Sequence, residues 1–343
     1  MNKKLGLLFD KRFFEHRIAS FSLENPARLR HLYMILEERF LTGNFIKIPP
    51  REASVADIEA VHSHFYREQL REHAVREDPF SYDKDTYLMA ETLPTARLAA
   101  GGCLELADRI MEGEIDCGLA LIRPPGHHAE PGRGMGFCVF NNVAITAAWL
   151  QRRWQLKRIL ILDFDIHHGN GTQEAFYDSR EVLFLSLHQS NLFPYTGCID
   201  ELGLGDGRGY TINVPVYPQF GDLEYTCLLG HLLQTLTEQY QPQIILVSAG
   251  FDGHRDETIS STLLSSEWFG TAARLLRQCA CEVCDGRLLF ILEGGYNPVS
   301  LEQSLLATID SLISSGNSQI GIFPARRAEK LLFTHPLQEF WSL

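Results

Sequence analysis

The sequence predicts an α/β chain whose parallel sheet is covered by helices on both faces. Short apolar runs alternate with longer helix-like stretches along the chain. The runs are continuously apolar, as in strands buried on both faces. Most of them lead directly into His, Asp, Glu or Ser-Ala-Gly. In open parallel sheets, ligands bind beyond the carboxyl ends of the strands, so these polar groups point to a site there.

The elements follow in chain order. Leu5–Phe9 reads as the first strand and ends at Asp10. It is too short for the core of an export signal, and no run is long enough to span a bilayer, so a cytoplasmic protein is expected. Pro94–Met111 is Ala- and Leu-rich and reads as a helix. The strand Gly118–Ile122 runs into Arg123-Pro124-Pro125-Gly126-His127-His128. Asn142–Arg153 is helical and opens on a capping-type Asn. Ile159–Leu162 runs into Asp163-Phe164-Asp165-Ile166-His167-His168-Gly169-Asn170-Gly171, and Val182–Leu187 into His188. Gly203–Gly209 is a loop with no helix opening behind it, so it is not a phosphate cradle. Gly230–Tyr240 is a helix ending before Pro242, and Ile244–Val247 a strand leading to Ser248-Ala249-Gly250-Phe251-Asp252. Glu267–Asp285 is a helix carrying Cys279, Cys281 and Cys284; with no fourth ligand nearby, these read as packing rather than as structural zinc ligands. Leu288–Leu292 leads to Glu293-Gly294-Gly295-Tyr296. No internal repeat, low-complexity tract or Pro/Ser linker divides the chain, so residues 1–343 are expected to form one domain.

Composition narrows the function. A 45% hydrophobic content in 343 residues supports a sizeable core. The net charge of −12 argues against a general nucleic-acid binder and does not favour anionic membranes. With no export signal, the eight cysteines are expected to be reduced. Asp165 and His167 are two residues apart where an extended chain begins to turn, a spacing that aims both side chains at one point. An oxygen and an imidazole nitrogen at one point form half of a zinc site; a catalytic zinc adds a third protein ligand and an open position. Taken singly, an Asp after a strand is a turn or cap residue and a His pair belongs to surface or core. Five strands delivering such groups to one edge point to a metal hydrolase.

The segments Arg123–His128, Gly136–Ala144, Asp163–Gly171, Ser248–Asp252 and Leu292–Tyr296 closely resemble the zinc-dependent histone deacetylase family. They are most similar to its class II branch and bacterial relatives, which include acetylpolyamine amidohydrolases. The resemblance runs from about Pro26 to Tyr296. It implies the arginase–deacetylase fold, an eight-stranded parallel sheet between helical layers. It also implies hydrolysis of an acyl-amide on lysine or a lysine-like amine.

The resemblance assigns one zinc ion to Asp165, His167 and Asp252. It makes His128 the general base and His127 its partner, which helps to stabilise charge and assists the leaving amine. Tyr296 is the phenol donating to the oxyanion. Asp163 holds His127, and Asn170 stands beside His128. Phe137 and Phe193 flank a narrow channel in which Gly136 leaves space, and Asp85 is matched to a rim Asp that grips the substrate backbone. A monovalent cation, K+ or Na+, is implied on carbonyls of Asp163, Asp165, His167 and Leu187 with the Ser186 hydroxyl.

Three departures from the family bear on this. Gly169 and His254 stand where two-manganese relatives carry Asp, so one catalytic metal is expected. Ser22-Leu23-Glu24-Asn25-Pro26 replaces His-Pro-Glu-x-Pro, although Arg28 still matches the Arg below the metal. Tyr296 distinguishes the chain from class II members that carry His there and are nearly inactive on acetyl groups. Seven residues after Asp252, where a polyamine-selective branch has a Glu gatekeeper, stands Ile259, which favours an acyl-lysine stem over a cationic polyamine. The expected substrate is an acetyl-lysine or other acyl-lysine peptide or protein. An acetylated polyamine or other small amide is the alternative, and a catalytically silent acyl-lysine-binding protein a more distant one.

Overall fold

The computed structural model describes residues 4–17, 22–40, 45–76, 80–314 and 320–342. Ten strands occur among them: β1 (Leu5–Leu8), β2 (Ile46–Lys47), β3 (Phe80–Ser81), β4 (Tyr87–Leu88), β5 (Cys117–Ala120), β6 (Ile159–Asp163), β7 (Val182–Gln189), β8 (Thr211–Val216), β9 (Ile244–Ala249) and β10 (Leu288–Leu292). Eight form one sheet in the order β2-β1-β5-β10-β9-β6-β7-β8, and every neighbouring pair is parallel. β3 and β4 form a separate antiparallel pair.

All residues of β5, β6, β9 and β10 are buried, as strands covered on both faces must be. Helix Thr92–Met111 packs on β1, β5 and β10 and on helix Asn142–Trp154. Helices Asp222–Tyr240, Ser266–Val283, Pro298–Ile313 and Ala27–Phe40 form a second contiguous set. Among the described residues, no helix is long and apolar enough to cross a membrane.

Six of the eight sheet strands match apolar runs in the sequence. β8 was not apparent because Asn213 and Pro215 interrupt its pattern, and β2 is only two residues long. The helix expected from Gly230 begins instead at Asp222, where the Glu224 carboxylate accepts from the Gly221 N–H at 3.1 Å. The cap of the helix after Phe140 is Asn141, one residue earlier than read; its Oδ1 accepts from the Ala144 N–H.

The strand order positions the site. β5, β10, β9 and β6 are adjacent, and their carboxyl ends lead respectively to His127 and His128, Tyr296, Asp252, and Asp165 with His167.

Candidate active site

Ligand atoms of Asp165, His167 and Asp252 lie within 4.8 Å of one another, and the three residues form one of two such groups among the described residues. His167 Nδ1 is 3.1 Å from Asp165 Oδ1 and 3.0 Å from Asp252 Oδ2. The backbone orients both carboxylates: Gly294 N–H donates to Asp165 Oδ2 at 2.8 Å, and Ile166 N–H to Asp252 Oδ1 at 3.0 Å. A Cβ on Gly294 would collide with both carboxylates, so only glycine fits behind them.

This donor set fits a divalent metal. Asp252 Oδ2 is buried with no hydrogen bond of good geometry, and its neighbour at 3.0 Å, His167 Nδ1, is itself a candidate ligand, so a cation between the two would satisfy both. Burial and the neighbouring Asp165 charge push the Asp252 carboxyl above its ordinary value. Burial would raise Asp165 as well, but His127 and His167 hold it low. Two buried carboxylates and an imidazole nitrogen converging on one point are suited to a cation with nitrogen and oxygen ligands.

Both histidines after β5 are buried, and each has a different partner. His127 Nδ1 is 3.0 Å from Asp163 Oδ2, and its Nε2 is 3.8 Å from Asp165 Oδ1. Burial alone would depress its pKa, but Asp163 and Asp165 raise it to about 10. His128 Nδ1 is 2.8 Å from Asn170 Oδ1. Burial, followed by the positive charge of His127 and His167, pushes its pKa well below 6.5. The two imidazoles are thus pushed in opposite directions, His127 toward its charged form and His128 toward its neutral one.

Tyr296 follows Gly294-Gly295 at the end of β10. Its ring lies 5.5 Å from that of Phe137, and the Arg28 guanidinium sits 5.1 Å from its centroid. Burial, with Asp252 and Asp165, raises the phenol well above its ordinary value, which keeps it a proton donor. Phe193 packs edge-on against His128 at 5.1 Å and lies 6.4 Å from His167. Gly136 has φ +55°, and a Cβ there would come within 2.6 Å of the His128 ring and 2.8 Å of Phe193. The bare glycine therefore keeps the approach to His128 open.

A family model described as histone deacetylase domain matches residues 22–312. The chain belongs to the histone deacetylase family. It is 37% identical over 294 residues to a probable deacetylase of Archaeoglobus fulgidus, covering 85% of this chain and 81% of that one. A probable deacetylase of Methanothermobacter thermautotrophicus is 39% identical over 292 residues, covering 84% and 85%. Histone deacetylase clr3 of Schizosaccharomyces pombe is 35% identical over 334 residues, which cover 91% of this chain but only 48% of that protein. The crystal structure of the HDA15 HD domain superposes with a TM-score of 0.91 at 31% identity, covering all of this chain and 96% of that one. The fold is therefore the arginase–deacetylase fold, and the family is one of deacetylase-type hydrolases.

The remaining sites expected in this deacetylase domain are placed as follows. Asp163 and Ser186 are paired in register on β6 and β7, with Leu187 next along. The Ser186 hydroxyl lies 2.9 Å from His188 Nδ1. Asp85 is partly exposed, 3.9 Å from Lys84 Nζ, and its N–H donates to Asp83 Oδ1 at 2.8 Å. Asp83 Oδ2 accepts from the Gly136 N–H at 3.1 Å, and Thr86 Oγ1 from the Phe137 N–H at 3.0 Å. Ile259 is half-buried in the loop after Asp252. His254 is engaged at both ring nitrogens: Nδ1 accepts from the Asp256 N–H, and Nε2 lies 3.1 Å from Ser266 Oγ.

Sequence reasoning gave no role to Glu293, Glu257 or Glu130. Glu293 Oε2 accepts from the Gly126 and His127 N–H groups at 2.6 and 3.1 Å, joining the Tyr296 loop to the His127–His128 loop. Glu257 Oε1 accepts from the Tyr296 and Asn297 N–H groups at 2.6 and 2.9 Å. A Glu directly following a continuously apolar strand was an available signal for Glu293, because buried carboxylates require partners. Below the site, Glu24 binds two buried arginines, Arg28 and Arg123, and Arg28 Nη2 donates to the Glu293 carbonyl at 2.6 Å.

Proposed function

We propose that residues 1–343 form one catalytic domain that hydrolyses the acyl-amide of acetyl-lysine or another acyl-lysine in peptides or proteins, using zinc at Asp165, His167 and Asp252. The observation that carries this reading is the convergence of those three ligand atoms beside two buried histidines, His127 on Asp163 and His128 on Asn170. A bound divalent metal supplies Lewis acidity for the amide carbonyl and acidifies water.

The chain's own groups carry the rest. His128 takes the proton of the attacking water through Nε2, while Nδ1 faces Asn170. Tyr296 donates to the carbonyl oxygen as it gains charge. His127, kept charged by Asp163, stabilises that charge and supplies a proton to the departing amine. Phe137, Phe193 and Gly136 accept the aliphatic stem, and Asp85 holds the substrate backbone at the rim. Asp163, Asp165, His167, Ser186 and Leu187 hold K+ or Na+ in a structural role. The motifs resemble the class II branch, and Ile259 favours acyl-lysine over acetylpolyamine.

The test compares turnover of acetyl-lysine peptides with that of acetylated polyamines at equal concentration, in metal-stripped and zinc-reloaded protein. Stripping should abolish activity, zinc should restore it, a hydroxamate should inhibit, and Asp252→Ala should lose metal and activity together. Full activity in the stripped protein would overturn the metal reading, and preference for the polyamine would overturn the substrate.

A further inference from the structure

A histidine acts as a general base only from an unprotonated nitrogen, and neutral imidazole has two forms. With the proton on Nδ1, Nε2 can accept. With the proton on Nε2, the nitrogen that should act as the base is blocked. For His128 the choice depends on which end of the Asn170 amide faces Nδ1. The amide oxygen accepts from Nδ1–H, whereas an amide turned by half a revolution would present its NH2 and drive the proton to Nε2.

The far end of Asn170 decides the matter. Its Nδ2 lies 2.8 Å from Glu130 Oε1 and 3.3 Å from Met135 Sδ. A carboxylate and a thioether can only accept. The NH2 must therefore face Glu130, and Oδ1 must face His128, where it lies 2.8 Å from Nδ1.

Glu130 is itself firmly placed. Its N–H and carbonyl pair with the carbonyl and N–H of Arg133 at 3.0 and 3.4 Å, closing a tight turn. Its carbonyl also lies 3.0 Å from His62 Nδ1. His62 Nε2 accepts from the Asn141 N–H at 2.9 Å, so Nδ1 is the donor to Glu130. Burial pushes His62 down to about 4, which keeps it neutral and in that form. Arg133 Nε approaches the other oxygen, Oε2, at 3.7 Å and leaves Oε1 to the amide.

We infer that Glu130 is a positioning residue: by accepting from the Asn170 amide it fixes that amide's orientation and holds His128 in the Nδ1–H form, with Nε2 open. The two histidines thus use acidic partners differently. Asp163 touches His127 directly and holds its charge. Glu130 acts on His128 through a neutral amide, supplying direction without placing a carboxylate against the ring. The inference deepens the proposed deacetylase mechanism and rests on His128 being its base.

The test is nitrogen NMR of the full chain labelled with 15N-histidine, which distinguishes protonated from unprotonated ring nitrogens, read beside kcat, KM and metal content. Wild type should show His128 as Nδ1–H. Glu130→Lys replaces an acceptor by a donor on a partly exposed side chain, so it should turn the amide and convert His128 to Nε2–H. The loss of the base should lower kcat by roughly 10²–10⁴ with KM and metal content unchanged. Glu130→Gln is isosteric and accepts either end of the amide, so it should show both forms and an intermediate kcat. On an Asn170→Ala background, Glu130→Lys should have no further effect on kcat. A single Nδ1–H form in both Glu130 variants overturns the proposal whatever kcat does. An inverted His128 with wild-type kcat leaves the Glu130 relay standing and removes His128 from its role as base.

Discussion

Glu24→Gln should destabilise the protein, and the magnitude follows from its surroundings. Glu24 is fully buried and lies between Arg28 and Arg123, which are 3% and 0% exposed. Its Oε1 accepts from Arg28 Nη1 at 3.2 Å and from Arg123 Nε, and its Oε2 from Arg123 Nη2 at 2.7 Å. Burial opposes the charge, but the two guanidinium groups prevail and hold the carboxyl at about 2 against an ordinary 4.5. A difference of that size corresponds to about 3 kcal/mol of stability at neutral pH. Gln keeps the shape and removes the anion, leaving two buried cations without a counter-charge, a change that costs ~3–5 kcal/mol. Because the folded value lies below the unfolded one, the contribution is complete above about pH 4.5 and is lost as pH falls through about 2. Urea unfolding of wild type and variant should therefore differ by a constant amount from pH 8 to pH 5, and the difference should shrink below pH 4.5. Equal urea midpoints at pH 7, or a difference already gone at pH 5, would refute the argument. Arg28 also packs on the Tyr296 ring and donates to the Glu293 carbonyl, so kcat should fall with stability while metal content is retained.

Tyr296→Phe keeps the ring against Phe137 and Arg28 and removes only the hydroxyl, so kcat should fall by roughly 10²–10³ with melting temperature and metal content unchanged; wild-type turnover would end the oxyanion role. Ile259→Glu should raise the ratio of acetylpolyamine to acetyl-lysine turnover by offering a carboxylate to a secondary ammonium, and an unchanged ratio would locate selectivity elsewhere. Asn170→Asp puts a carboxylate against His128 Nδ1, so the ring keeps its proton to higher pH and the acidic limb of kcat/KM moves upward. A well-folded, metal-loaded Asn170→Asp variant whose limb stays put would reject the His128–Asn170 coupling.

The parts of this molecule that were legible in its sequence are those whose cause is local. β6, β9 and β10 are continuously apolar because both faces are covered, and the residues proposed to carry the chemistry follow them within a few positions. β8 was hidden because Asn213 and Pro215 break its pattern, although Asn213 has a buried task, donating to Gln173 Oε1 at 2.7 Å. The supports of the site were hidden for another reason: each joins residues far apart in the chain. Gly136 N–H reaches Asp83, 53 residues away, and Gly126 N–H reaches Glu293, 167 residues away. No spacing rule expresses such a pair. Glu130 lies only two residues beyond His128, yet it acts on that ring through Asn170, which is 40 residues further on.

The small β3–β4 hairpin has a consequence for how this enzyme could diverge. Through Asp83 and Thr86 it carries the Gly136–Phe137 wall, but it has no strand in the main sheet, and none of the three metal-directed side chains comes from it. The residues proposed for cleavage follow β5, β6, β9 and β10, whereas the Gly136–Phe137 segment proposed for the entrance hangs from a separate bracket. On the proposed reading, substitutions in that bracket reshape the doorway while the hydrolytic machinery stays in register, so new preferences for the amine side of the substrate can arise by changing the hairpin alone.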